Sequence, residues 1–273
     1  MVLTGLSPSP SWLNIDKLDK TEVRIQTNLP VYISMSTIPA RLNNTIELIN
    51  HTLKYVKGLT KLILNLPYSY RRFPEFKINE RRIREKIKDT KFYLNRCQDY
   101  GPLTKFLPSL AILPNNSILI VCDDMCYSMT AYKDIAERQD SQINKSFTYF
   151  YYPYSQPSIE RIVNVPQGAD MISFYTNNLR EFPEFFTSFL KKMKIEEYYK
   201  NSCFFVDDLI IGFYLQYIGI PIQQVDPTHR MIYIKNCENA PKKYNLNAQK
   251  GQRSRENTMK MCYKDLYYVF PSN

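Results

Sequence analysis

Apolar positions along this chain come in short runs, separated by stretches in which they recur at helical spacing. Val31-Tyr32-Ile33-Ser34-Met35 is the first run, closed by Ser36-Thr37-Ile38-Pro39, and it predicts a strand. Apolar residues at 46, 48, 49, 53 and 56 then mark one face of a helix over 44–57. A second strand is expected at 61–66, stopped by Pro67, then a basic helix over 79–88 and a third strand at 91–94. Tyr100-Gly101-Pro102 starts a new element, with a helix expected over 103–113 before the run Ile118-Leu119-Ile120-Val121-Cys122. Beyond it the pattern predicts a helix over 130–139, a Tyr/Phe-rich strand over 147–154, a strand over 169–175 and a helix over 182–194. A last apolar run, Cys203-Phe204-Phe205-Val206, ends in Asp207-Asp208, which open a helix over 208–218. Strands alternating with helices imply an α/β fold: a mixed, mainly parallel central sheet flanked by helices. No internal repeat or Gly/Ser linker divides the chain. Residues 1–29, with Pro8 and Pro10, are expected to form an N-terminal arm before one domain over 30–273.

Composition supports a packed core, at 44% hydrophobic residues. No stretch approaches the roughly 18 unbroken apolar residues of a membrane span. Residues 1–16 lack a basic start followed by an apolar run, so no secretory signal is expected there. The six cysteines show no paired spacing; Cys122 and Cys126 stand as CxxxC without a second pair to complete a zinc site. Several lie in apolar runs, and all are expected as reduced thiols in a cytoplasmic protein. The formal charge of +10 favours an anionic partner. Much of it sits in Arg71-Arg72 and in 81–88, and in the second stretch the helical spacing of charged and apolar residues favours a solvated helix face over a binding surface.

The candidate chemistry lies where two apolar runs end in paired acids. In an open α/β sheet, ligands bind just beyond the carboxyl ends of the strands. Asp123 and Asp124 fall there, and two adjacent carboxylates ionise together cheaply only with positive charge between them. A divalent metal carrying phosphate would supply it. Asp207 and Asp208 open a helix, where the dipole favours acids, so capping accounts for one of the two. A haloacid-dehalogenase phosphatase is excluded, because Met125 stands where that motif needs its second Asp. With only seven glycines, neither a P-loop nor a dinucleotide fingerprint is present. A metal-dependent nuclease suits acids with net positive charge, but there is no basic, aromatic-interleaved stripe to bind the strand.

Four blocks together resemble the GT-A-fold nucleotide-sugar glycosyltransferases of bacteria and large DNA viruses. They are Ile33-Ser34-Met35-Ser36-Thr37-Ile38-Pro39-Ala40-Arg41, Asp99-Tyr100-Gly101-Pro102-Leu103-Thr104-Lys105, Cys122-Asp123-Asp124 and Val206-Asp207-Asp208. The resemblance spans about residues 30–235. It implies that the first block (Thr37, Pro39, Arg41) meets nucleotide base and ribose. It implies that Tyr100, Gly101 and Lys105 meet the donor, with Lys105 as a cation against its diphosphate. In the third block Cys122 stands where the family carries an acid, which leaves Asp124 as metal ligand for Mn2+ or Mg2+ and Asp123 as a ribose or outer contact. Asp208, then Asp207, would act as the base of an inverting transfer. Gly168 and Asp170 would lie near the acceptor, and His229 is a further metal ligand by analogy with some relatives. The implied donor is a UDP-sugar, conceivably UDP-xylose. The implied acceptor is an oligosaccharide or glycoprotein such as a viral capsid N-glycan, and the place of work the cytoplasm of a host cell. A non-catalytic sugar- or nucleotide-binding domain would also account for Cys122. His51, inside the first helix, is expected to be structural or exposed.

Overall fold

A computed structural model describes residues 13–157, 159–193, 202–226, 232–234, 237 and 252–270. Its strands in chain order are β1 (Val23–Arg24), β2 (Val31–Ser36), β3 (Val56–Lys57), β4 (Lys61–Pro67), β5 (Phe92–Cys97) and β6 (Ile118–Val121). There follow β7 (Ser146–Thr148), β8 (Tyr151–Gln156), β9 (Ile159–Pro166), β10 (Ile172–Tyr175) and β11 (Ile222–Gln224). The helices are α1 (Leu42–Tyr55), α2 (Glu80–Lys86), α3 (Met129–Ser141), α4 (Phe182–Met193), α5 (Asp207–Tyr217) and α6 (Gln252–Val269).

Seven strands form the central sheet in the order β11-β7-β10-β6-β2-β4-β5. The β6-β2-β4-β5 half is wholly parallel, β10 runs antiparallel to both β6 and β7, and β11 is parallel to β7. The α/β expectation is met: a mixed, mainly parallel sheet flanked by helices. A central parallel strand is covered on both faces and so reads as an unbroken apolar run. All four residues of β6 are buried, and they alternate between two cores. Ile118 and Ile120 pack with α1 and α3 residues such as Ile46, Ile49 and Ile135. Leu119 and Val121 pack with residues of α4, α5 and α6. In α4 the apolar stripe is Phe182, Phe185, Phe186 and Phe189, the i, i+3, i+4, i+7 pattern of a one-sided helix. Gly212 lets α5 lie against β9, since a Cβ there would sit 2.4 Å from the carbonyl oxygen of Asn164.

Several expectations shift. The helix expected over 103–113 is instead two 3-10 turns, Gly101–Lys105 and Leu107–Ala111, because Pro102 and Pro108 break up the regular hydrogen-bond ladder. The Tyr/Phe-rich stretch is not one strand: β7 joins the central sheet, while β8 pairs with β9 in a separate hairpin. The strand expected from 169 begins at Ile172, after the turn Gly168–Asp170. Val23 and Ile25, in the stretch expected as an irregular arm, are buried in the core, and β1 pairs with β3.

The cysteine expectation is corrected. Cys126 is bonded to Cys237 and Cys203 to Cys262, across 111 and 59 residues of chain, and only Cys97 and Cys122 are thiols. Pairings this distant have no sequence spacing to announce them, and such bonds persist mainly in oxidising compartments. Among the described residues no helix is long and apolar enough to cross a membrane.

Candidate functional site

From β2 the chain crosses outward to β4 and β5, then returns to place β6 on the other side of β2. This reversal between β2 and β6 is a topological switch point, where the flanking connections diverge and open a crevice at the strands' carboxyl ends. Thr37 follows β2 and Asp123-Asp124 follow β6, so the first and third motif blocks meet at that crevice.

Asp124 is buried and its carboxylate is fully engaged. Oδ1 is 2.9 Å from Nη1 of Arg41, and Oδ2 accepts from the hydroxyls of Thr37, in a short contact, and of Thr45 at 3.2 Å. Nη2 of Arg41 also donates to the Asp124 carbonyl at 2.8 Å, so one guanidinium holds both ends of the residue. Burial raises the Asp124 pKa, while Arg41 and Thr37 oppose that rise. Pro39 opens the short turn that delivers Arg41, and Thr45 lies one helical turn beyond it on α1. That i, i+4 relation was the one sequence signal for Thr45.

Lys105 takes the centre. Its Nζ lies 2.7 Å from Oδ1 of Asp123 and 2.9 Å from Oδ2 of Asp207, and its side chain is 4% exposed. Burial alone would pull its pKa down, but Asp123, Asp207 and Asp208 more than offset this and hold it well above the usual lysine range. The backbone around Lys105 is clamped from below. Ser34 Oγ on β2 donates to the Lys105 carbonyl at 2.6 Å, and Asn65 on β4 donates to Ser34 Oγ and Ser109 Oγ at 2.9 and 2.8 Å. At the start of the same turn Gly101 has φ +63°, and a Cβ there would meet the Phe204 carbonyl at 2.4 Å. The Gly101 turn therefore packs directly on Ser202–Phe205, the segment that leads into Asp207. Asp99 fixes the entry by accepting from the backbone amides of Gly101 and Arg71 at 2.9 and 2.8 Å. The Tyr100 ring packs edge-on against Phe186, within the core.

The Asp123 side chain is 36% exposed, against 7% for Asp207. Asp208, next along α5, is partly exposed. Asp170 stands on the antiparallel side, in the turn begun by Gly168. It accepts a short hydrogen bond from the Tyr233 hydroxyl, which also reaches the Ala169 carbonyl. Burial raises the pKa of Asp170, against the lowering effect of that bond. The Tyr127 hydroxyl donates to the Ala169 carbonyl and accepts from the Asp123 amide, linking the two sides. No periodicity or motif marked Tyr127 or Tyr233. His229 lies outside the described residues. His51 bonds the Asp19 carbonyl through Nε2 at 2.6 Å, a structural contact.

The resemblance implies a divalent ion at this crevice. Among the described residues no group of three or more His, Cys, Asp or Glu side chains is arranged to cage one. Cys122 is fully buried, with its thiol pKa raised by that burial, and is turned away from ligand duty. Among the described residues, the carboxylates of Asp123, Asp124, Asp207 and Asp208 nevertheless gather around Arg41 and Lys105. The buried Asp207 Oδ2 has no aligned hydrogen bond, and its contact with Lys105 is ionic only. A buried carboxylate oxygen with no aligned hydrogen bond suits a hard cation that arrives with phosphate, which needs only one or two protein carboxylates.

No protein-family model matches this sequence, and no curated protein matches it. Among solved structures it is similar to GalNAc-T7 crystallised with UDP, GalNAc and Mn2+, at 9% identity and a TM-score of 0.39. That match covers 59% of this chain, and the chain spans only 36% of that protein's length. It is also similar to 4-diphosphocytidyl-2C-methyl-D-erythritol synthase from Anaerococcus prevotii DSM 20548, at 10% identity and a TM-score of 0.39, over 73% of this chain and 90% of that one. Likeness at this level does not bear on the reaction.

Proposed function

We propose that this chain is a nucleotide-sugar glycosyltransferase whose donor lies in the crevice between the carboxyl ends of β2 and β6. The observation that carries the reading is the meeting of all four motif blocks at this one switch point, around Lys105 and Asp124. A sugar donor needs a base-binding wall, a cation for the diphosphate and a carboxylate on the acceptor side. The loop from Thr37 to Arg41 offers the first, with Arg41 and Asp124 braced so that the wall is preformed. Lys105 offers charge to the diphosphate, and Asp123 lines the exposed mouth beside it.

Asp123, with Asp207 behind it, would hold Mn2+ or Mg2+, because both oxygens of Asp124 are committed to Arg41, Thr37 and Thr45. A bound divalent ion would offset charge on the departing nucleoside diphosphate. Asp208 is the base: it is partly exposed, whereas Asp207 is buried against Lys105. It takes the proton of an acceptor hydroxyl as the hydroxyl oxygen attacks the anomeric carbon and the bond to diphosphate breaks, which inverts the centre. Asp170, held by Tyr233 across the crevice, contacts the acceptor.

A UDP-sugar is the first donor to test, and a glycan the first acceptor. A thermal-shift panel of UDP-, GDP-, CMP- and dTDP-sugars, each with Mn2+ and with chelator, tests the reading. One nucleotide class should raise the melting temperature, and more strongly with metal. If no donor shifts it, and DNA binds with a steep salt dependence instead, the site belongs to a nuclease.

A further inference from the structure

A buried lysine paired with two acids is an expensive arrangement unless the charge has work to do. Lys105 reaches Asp123 and Asp207 at 2.7 and 2.9 Å, and these acids come from separate elements, the end of β6 and the start of α5. One ammonium is thus shared between both carboxylates. The Lys105 backbone is pinned by Ser34, while the side chain is a four-carbon stem carrying a point charge. Arg41 differs: its guanidinium makes two directed contacts to the side chain and carbonyl of Asp124 and so holds that residue in place.

We infer that Lys105 is the resident counter-ion of the metal position and competes with a divalent cation for Asp123 and Asp207. The ion then enters only together with a diphosphate, which takes over the Lys105 ammonium as the ion takes over the carboxylates. This rests on the nucleotide-sugar reading for the identity of the diphosphate, but the competition itself does not. Metal and nucleotide are thereby coupled, and the coupling is reciprocal. In the absence of nucleotide the lysine keeps the two acid segments together and the mouth electrically closed. Asp207 Oδ2, paired with Lys105 by charge but with no aligned hydrogen bond, is the oxygen with least to lose in the exchange.

The test is a Mn2+ titration of the full chain followed by electron paramagnetic resonance of the unbound ion, with and without UDP. Wild-type protein should bind Mn2+ weakly alone and about tenfold or more tightly with UDP present, within the usual range of coupling. Lys105→Met should bind Mn2+ alone about tenfold more tightly than wild type and lose most of the UDP effect. Lys105→Gln, which keeps hydrogen-bond donors, should behave likewise and serves if the methionine variant melts early. Asp123→Asn should abolish tight binding in every background. Unchanged or weaker Mn2+ binding in both Lys105 variants overturns the competition. So does tight binding by wild type without nucleotide. If the variants gain affinity but UDP, GDP and CDP leave wild type unmoved, competition stands, while the nucleotide reading and the coupling built on it fall.

Discussion

Replacing Arg41 by methionine isolates the brace behind the site. The substitution keeps most of the side-chain volume but leaves the Asp124 carboxylate, 9% exposed, with only the Thr37 and Thr45 hydroxyls. Removing one partner of a buried pair costs about 3–5 kcal/mol. The two hydroxyls remain as donors, so the low end, about 3 kcal/mol, is expected at pH 8. At ~2.1 cal/mol/K per residue, a chain of 273 residues unfolds with an entropy near ~0.6 kcal/mol/K, so the melting temperature should fall by about 5 °C. The pH dependence carries the sharper signature. Burial already raises the Asp124 pKa in the folded protein, and loss of Arg41, the larger opposing effect, raises it further. For a folded pKa raised above its unfolded value, the associated stability is present at low pH and is lost as pH rises through the folded value. The deficit of Arg41→Met against wild type should therefore be largest at pH 8 and shrink as the pH falls and Asp124 takes a proton. Urea melts of both proteins from pH 8 downwards measure it, comparing the difference between the two so that other carboxylates cancel. A deficit below about 1 kcal/mol, or one that stays constant with pH, would refute the view that Asp124 is a buried charge held by Arg41.

Three further outcomes follow from the site's construction. Asp208→Asn should lower turnover by about 10²–10⁴-fold while leaving the nucleotide-induced thermal shift in place, as expected for a base that does not bind the donor; equal loss of both would remove it from that role. Gly101→Ala forces a side chain onto φ +63° and against the Phe204 carbonyl, so it should cost more than about 2 kcal/mol in denaturant melts and weaken nucleotide binding through Lys105. Unreduced, denatured protein should titrate two thiols with Ellman's reagent, and six after reduction; loss of either disulfide should cost up to about 4–5 kcal/mol by chain entropy. Breaking Cys203–Cys262 should also loosen Asp207 and so weaken Lys105-dependent binding, which Cys203→Ser with Cys262→Ser would report.

Much of the fold was legible along the chain because it depends on short-range periodicity. The runs at β2, β4 and β6 and the stripes of α1, α3, α4 and α5 were all found within a few residues of their observed ends. The alternation of these elements was enough for a mainly parallel sheet, and the acids after β6 fall at its carboxyl edge. The apolar spacing over 103–113 fits a helix, but Pro102 and Pro108 break it into two short turns. The second half was harder: β8 and β9 pair only with each other, and such a hairpin has no helical crossover to mark it.

The residues of the four blocks stand out in the sequence by type and spacing, but the contacts each one makes do not. Asp123 and Asp124 are neighbours with the same side chain, and only the fold sends one to Lys105 and the other to Arg41, Thr37 and Thr45. The chain leaves β6 at Val121 and bends at Asp124, so the adjacent acids enter different environments. Tyr233 met Asp170 and Cys126 met Cys237 because packing brought together positions 63 and 111 residues apart. Local patterning decides which segments are strands and helices, since backbone hydrogen bonding and side-chain burial repeat every few residues. Which acid is neutralised, which cysteines pair and which lysine is buried depend on contacts formed only when the sheet closes, and these the tertiary structure alone decided.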